Sequence, residues 1–166
     1  MFRLSLIVAL SLVSFTSVAT RQMPDILMVE GQKIEIIESP LDANMIREIT
    51  IGMDVWTCSA NWRGYRAYWR IVDSQLFLDR VETDPCGDSV LVEPGKICSA
   101  CEYPIAAYWV DGAITYPTGR RWDETDATED GDSVRKGYRY EVGAFEVAAG
   151  LVLRKYREVR TITWEG

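Results

Sequence analysis

Four cysteines are the residues whose type and spacing most directly suggest a chemistry. Cys98-Ser99-Ala100-Cys101 has the C-x-x-C spacing of thiol–disulfide enzymes, and Cys58 and Cys86 precede it. An even number of cysteines in an oxidising compartment predicts two structural disulfides, and the sequence leaves all three connectivities open. Redox activity and a four-cysteine zinc site are the alternatives. The context argues against redox activity, because the pair lies between the loop Glu93-Pro94-Gly95 and the strand-like Ile105–Val110.

The chain contains no histidine, which excludes several kinds of catalytic site. Ser-His-Asp triads, Cys-His dyads and zinc sites with a histidine ligand all require that residue. Acid pairs such as Asp84 with Asp88, or Asp123 with Glu124, could support glycosidase chemistry, but no spacing singles out one pair. We therefore expect no catalytic residue, no cofactor and no bound metal.

An aromatic and basic segment, residues 56–70, is the first candidate binding surface. It is rich in Trp, Tyr and Arg, the residue types that dominate protein-binding hot spots. Period-two alternation places Arg66, Tyr68 and Arg70 on the strand face opposite Trp69. These three residues are predicted to contact a partner. The alternative is that the aromatic side chains form the core and the arginines lie over them.

An acidic segment, residues 123–132, is the second candidate. An EF-hand frame beginning at Asp126 fails, because Gly137 occupies the twelfth position, where a bidentate Glu is required. A calcium loop of another kind and a plain solvated loop are the alternatives to an acidic finger that fills a basic active site. The predicted partner-binding acids are Asp123, Glu124, Asp126, Glu129, Asp130 and Asp132.

Alternating apolar and polar residues around short turns predict a mainly β fold. Three hairpins are expected, and they join Ile26–Val29 to Lys33–Ile37, Tyr65–Ile71 to Gln75–Val81, and Tyr138–Val147 to Leu151–Trp164. Asp111-Gly112 predicts a further hairpin between Pro104–Val110 and Ala113–Tyr116. The polar segment Trp122–Arg135 is expected to be a loop.

One short helix is predicted near residues 40–48, with Ser39 as its N-cap and Pro40 in its first position. Repeated hairpins with a single helix favour an antiparallel sandwich or barrel. Without a linker or repeat, residues 20–166 are expected to form a single β-rich domain.

The first nineteen residues have the features of a secretory signal peptide. Arg3 is followed by an apolar run, Leu4–Phe15, and then by Ser17-Val18-Ala19. We expect cleavage near Ala19, no stable membrane anchor, and a periplasmic location. The formal net charge of -7 argues against nucleic acid or an anionic membrane as partner, since both require a basic surface.

Two segments resemble small uncharacterised bacterial exported proteins. Trp62–Ile71 followed by Leu76-Phe77-Leu78 is similar to their W-R-G-Y-x-A-x-W hairpin, and Ile105–Ile114 resembles a second element. The resemblance implies a bacterial, periplasmic protein and, by analogy, an immunity protein that neutralises a secreted toxin or hydrolase by occluding its active site. The partner is then a protein, expected to be basic. A ligand-binding or structural module of the cell envelope is the alternative, and an acid-pair hydrolase is the third hypothesis.

Overall fold

The computed structural model describes residues 22–51, 58–127 and 133–164. It contains strands, one α-helix (α1) and one short 3₁₀ helix, and the predicted mainly β fold is confirmed. The elements are β1 (Asp25–Val29), β2 (Gln32–Ile36), α1 (Ala43–Thr50), β3 (Tyr65–Val72), β4 (Gln75–Thr83), β5 (Val90–Leu91), the 3₁₀ helix (Pro94–Lys96), β6 (Ile105–Ala106), β7 (Gly112–Ala127), β8 (Ser133–Ala148) and β9 (Leu151–Thr163).

The strands form one mixed sheet in the order β2-β1-β3-β4-β9-β8-β7, and β5 and β6 also pair with β4. The sheet is not fully antiparallel, because β1 runs parallel to β3. Its two halves are joined at the pair Gln75 and Leu151. The end strands approach each other where the Ile37 N–H donates to the Thr115 carbonyl over 2.8 Å. The expected antiparallel sandwich or barrel is therefore corrected to an open, mixed sheet.

The core is built around the inward faces of β3 and β4. Trp69 is fully buried, and its ring centroid lies 6.4 Å from that of Trp109. Ile114 of β7 and Phe145 of β8 belong to the same cluster. Burial of these large apolar side chains supplies most of the stabilisation of such a fold. We call this core, with β1–β6 and α1 around it, the body.

The three predicted short-turn hairpins are confirmed. Their turns place two residues each at positive φ, as right-handed strand twist requires. These pairs are Glu30-Gly31, Asp73-Ser74 and Ala149-Gly150.

The predicted Asp-Gly hairpin is wrong. Gly112 begins β7, which pairs with β8, whereas Ile105 and Ala106 pair with β4. The Asp111 carboxylate accepts a hydrogen bond from the Ala149 N–H over 2.8 Å, so the acid bonds to a distant turn and not within its own.

The predicted loop Trp122–Arg135 is also wrong in its described parts. Trp122–Ala127 belongs to β7 and Ser133–Arg135 to β8. Pairing with β8 overrides the polar composition of this segment.

The short helix is confirmed, but its start is displaced. Asp42 is the N-cap, and its carboxylate accepts from the N–H groups of Asn44 and Met45 over 2.7 and 2.9 Å. Ser39 does not cap the helix. Its hydroxyl donates instead to the buried Asp25 over 2.8 Å.

Both predicted disulfides are confirmed, and the structure selects the connectivity. Cys58 pairs with Cys86 and Cys98 with Cys101. Two disulfides place the fold in an oxidising compartment, extracellular or periplasmic. Within the described part of the chain, no helix is long and apolar enough to span a bilayer.

Candidate partner-binding surfaces

Arg66, Tyr68 and Arg70 lie on one face of β3, as predicted, and each is half-buried. This outer face continues onto β4, where Arg66 is paired with Glu82 and Tyr68 with Arg80. We call it the hairpin face.

The charged groups of the hairpin face bind to one another. The Arg80 guanidinium lies 3.7 Å from the Tyr68 ring centroid and donates to Glu82 over 2.6 Å. Arg70 forms an ion pair with Asp79, and Arg66 donates to the Pro24 carbonyl over 2.9 Å. Cation–π and charge-assisted contacts of this kind hold the side chains in fixed positions.

Two pKa shifts follow from this packing. Burial raises the pKa of Tyr68, and the adjacent Glu82 carboxylate raises it further. Burial acts to raise the pKa of Glu82, but hydrogen bonds from Arg80 and Tyr68 and the nearby arginine charges outweigh it, so this pKa is lowered. The ionised carboxylate is therefore the stable form of Glu82 within the network.

A shallow apolar groove adjoins the hairpin face. Its volume is about 220 Å³, and it is lined by Arg70, Val72, Phe77 and Pro104. Val72 is 46% exposed, so the groove offers an apolar contact beside the arginine.

The far parts of β7, β8 and β9 form the second surface, which we call the arm. It comprises residues 121–127, 133–141 and 159–164. Seven residues of an antiparallel strand span roughly 20 Å. Some residues of β7, β8 and β9 belong to the core cluster, and within the described part of the chain all of them lie outside the arm. They are Ile114, Tyr116, Phe145, Val147 and Val152.

One face of the arm carries a chain of ring contacts. Tyr138 lies at its centre, with ring centroids at 5.7 Å from Tyr140 and 6.1 Å from Trp164. The Arg121 guanidinium lies 3.8 Å from the centroid of Tyr138. Trp164 is 45% exposed. Amphipathic rings held in place but open to solvent are the typical components of a binding hot spot.

The opposite face of the arm is also exposed and mixed in character. Trp122 and Val159 are open to solvent there. At its inner end, Glu141 is nearly buried between Arg120 and Arg157, at 3.6 and 3.4 Å.

The edges of the arm complete this surface. In the described ranges, the β7 and β9 parts of the arm pair with β8 alone, so each outer edge has no neighbouring strand. A partner could contact the arm on both faces and both edges.

Three of the predicted acidic residues lie in this arm. Asp123 is exposed and lies 3.4 Å from the Arg121 guanidinium. Glu124 and Asp126 are residues of β7. Glu129, Asp130 and Asp132 lie outside the described residues. Asp123, Glu124 and Asp126 thus belong to a different half of the sheet from the predicted arginine face.

Sequence reasoning missed the aromatic side of the arm. Tyr138, Tyr140 and Trp164 were assigned to strands but not to a binding surface. The visible signal was the alternation of Tyr138 and Tyr140 around Arg139. It could not be interpreted without β7, because Arg121 lies just before the segment that was expected to be a loop and was assigned to no strand.

Comparisons of this chain with protein-family models, with curated proteins and with solved structures yield no match. Across residues 22–51, 58–127 and 133–164, no group of three or more Cys, Asp or Glu side chains is arranged to hold a metal ion. The site is therefore argued from its own geometry.

Proposed function

We propose that this chain is an exported, periplasmic protein of the immunity type, which neutralises a secreted toxin or hydrolase by placing its arm in the partner's active site. The proposal includes cleavage of the signal peptide near Ala19, as the sequence predicts.

One observation carries the proposal: an arm with ordered, half-exposed rings on a sheet that the core does not cover. Ordering Tyr138, Tyr140 and Trp164 side by side leaves little conformational entropy to be lost when a partner binds. The disulfide-linked body supplies the stability that the arm's own few apolar contacts do not.

Charge supports the occlusion of a basic active site. The chain is acidic overall, and its acids are concentrated in residues 123–132 at the end of the β7–β8 hairpin. An acidic surface of this kind accelerates encounter with a basic partner and disfavours acidic ones.

Site-specific photo-crosslinking from the mature protein tests the proposal. A photoreactive phenylalanine replaces Trp122 or Tyr140 on the arm, and in matched controls it replaces Tyr108 or Val72 on the body. Mass spectrometry then identifies any crosslinked protein in the native cell envelope.

We expect the arm probes to capture one protein that the body probes do not. That protein, purified, should be an enzyme or toxin whose activity falls to zero at a one-to-one ratio with the mature chain. Capture from the body probes alone, or a captured enzyme that retains full activity, would contradict the proposal.

The hairpin face supports the second candidate, a cell-envelope module that binds a peptide or glycan. Its specific support is the groove of Val72, Phe77 and Pro104 beside Arg70. Saturable binding of envelope peptide or glycan that is lost in Phe77→Ala and kept in Tyr140→Ala would favour this candidate. The acid-pair hydrolase stays a third hypothesis, without a structural observation in its favour.

A further inference from the structure

The two disulfides differ in what they connect. Cys58–Cys86 fastens two segments 28 residues apart, whereas Cys98–Cys101 spans a separation of 3 residues. Loop-closure entropy grows with separation, so a bond across so short a loop constrains the unfolded chain less. By this reasoning the Cys98–Cys101 bond contributes less to the stability of the fold than Cys58–Cys86 does.

The segment that carries Cys98 and Cys101 is held by other contacts. The N–H groups of Ile97 and Cys98 donate to the Pro94 carbonyl over 2.9 and 3.2 Å. The Tyr103 hydroxyl donates to the Val92 carbonyl over 3.1 Å. Ile97 and Ile105, on either side of the cysteines, are buried in the core. Opening the disulfide therefore leaves both cysteines in place.

The two residues inside the loop are accessible and conformationally costly. Ser99 and Ala100 are exposed, and both cysteines are partly exposed. Ala100 has a φ of 62°, in the left-handed region that a residue with a Cβ rarely adopts.

An apolar groove of about 380 Å³ lies against the same pair. Tyr108, 67% exposed, forms part of its outer wall, and Trp109 lies deeper. The groove can hold an apolar side chain next to a thiol that approaches the disulfide. Cys58–Cys86 has no such groove among the cavities described.

We propose that Cys98–Cys101 is a thiol–disulfide exchange site that accepts electrons from a cysteine-bearing polypeptide or a small thiol, independently of the arm's function. The thiolate of the donor attacks one sulfur, the Cys98–Cys101 bond breaks, and a mixed disulfide forms while the other cysteine leaves as a thiolate and takes up a proton. A second donor thiolate attacks the donor sulfur of the mixed disulfide. This releases the oxidised donor and leaves Cys98 and Cys101 as a dithiol, with two electrons transferred.

Equilibration of the native mature protein in glutathione buffers tests this site. After each step free thiols are trapped with N-ethylmaleimide, peptides are mapped by mass, and the fold is followed by circular dichroism. We expect a folded species with Cys98 and Cys101 alkylated and Cys58–Cys86 intact. Cys98–Cys101 staying closed until the fold is lost, or both disulfides opening together, would overturn the proposal.

A second arm of the experiment distinguishes the two donors. The rate of opening is measured with glutathione and with a thioredoxin-type dithiol protein, for the native protein, Tyr108→Ala and the comparably exposed control Leu153→Ala. Removal of a groove aromatic should slow exchange with the dithiol protein about tenfold and leave the glutathione rate unchanged if the donor is a polypeptide. Equal rates for all three proteins with both donors would assign the site to small thiols.

The alkylation map also has a structural control. Cys98→Ser with Cys101→Ser should lower the melting temperature by about half as much as Cys58→Ser with Cys86→Ser does. A larger loss from the Cys98 and Cys101 pair would show that this disulfide holds the fold, and would overturn the exchange role.

Discussion

The hairpin face and the arm are both rich in aromatic and arginine side chains, but they use them differently. On the hairpin face, Arg70 forms an ion pair with Asp79 of the neighbouring strand, and Arg80 forms one with Glu82 of its own strand. In the arm, Tyr138 stacks with other rings on an exposed sheet that has no core behind it. The same residue types thus stabilise the sheet in one region and remain available for contact in the other.

The difference shows that composition does not identify a binding surface. Residues 56–70 are the most hot-spot-like segment of the sequence, yet their partners within the fold already take up much of their bonding capacity. A partner that bound there would have to compete with these contacts, whereas in the arm the exposed ring of Trp164 and the exposed side chain of Trp122 are open to a partner.

The largest expected effect is the difference in stability between a substitution in the core and one in the exposed arm. Trp69→Ala empties a fully buried position and should lower the free energy of unfolding by about 3–5 kcal/mol. Trp122→Ala, on the 42% exposed arm residue, should change it by less than about 1 kcal/mol. Urea unfolding of both variants measures this. Equal losses would mean that the arm is part of the folding core.

Substitutions of two glycines in β8 test which part of this strand packs on the core and which part belongs to the arm. A Cβ on Gly143 would lie 2.1 Å from the Tyr116 ring, and one on Gly137 would lie 2.0 Å from the Ile162 carbonyl oxygen. Gly143→Ala should lower the free energy of unfolding by about 1–3 kcal/mol, because Tyr116 packs on the core.

Gly137→Ala should force the Ile162 backbone to move, so that its cost falls on the pairing of β8 with β9 in the arm. Two-dimensional NMR locates the perturbation. Shifts that spread from Gly137 into β3 and β4 would contradict an independent arm.

The acidic residues should act mainly on the rate of association. Neutralising Asp123, Glu124, Asp126, Glu129, Asp130 and Asp132 together should slow binding to a basic partner about tenfold at low salt, without unfolding the body. Stopped-flow measurements at increasing salt should bring the variant and the native rates together. The control replaces Arg66, Tyr68 and Arg70, and a larger loss there would move the interface to the hairpin face.

The smallest effect concerns Glu82, whose pKa is lowered from its ordinary value of 4.5. A carboxylate with a lowered pKa stabilises the fold above its unfolded pKa, and this contribution is lost as the pH falls through the folded pKa. Glu82→Gln should therefore be slightly less stable than the native protein at pH 6, with the two converging below about pH 4.5. Chemical unfolding at each pH tests this, with the exposed Glu30→Gln as control. A constant difference would mean that Glu82 acts through packing and not through charge.

The fold could be predicted from the sequence where strand alternation and turn residues indicated the same hairpin. The alternation of Tyr65, Ala67 and Trp69 and the turn Ala149-Gly150 both correspond to the structure. Prediction failed where tertiary pairing decides: Asp111-Gly112 has the best hairpin signal in the sequence, yet Gly112 pairs with Val147 far along the chain. The parallel pairing of β1 with β3 was invisible for the same reason.

The candidate site was predicted in part. The face shared by Arg66, Tyr68 and Arg70 follows from strand period alone, but the contacts that occupy it come from β4 and Pro24. Likewise, the ring contacts of Tyr138 depend on β7 and on Trp164, which only the three-dimensional pairing brings together.

Hydrogen exchange of the free and partner-bound protein, read by mass spectrometry, tests most directly whether the arm is the binding surface. If it is, the outward-facing amides of residues 121–127 and 159–163 exchange rapidly in the free protein, because their outer edges lack a neighbouring strand in the described sheet, and become protected when the partner binds. The amides of β3 and β4 should be slow in both states. Protection that appears on β3 and β4 while the arm amides remain unchanged would contradict the account.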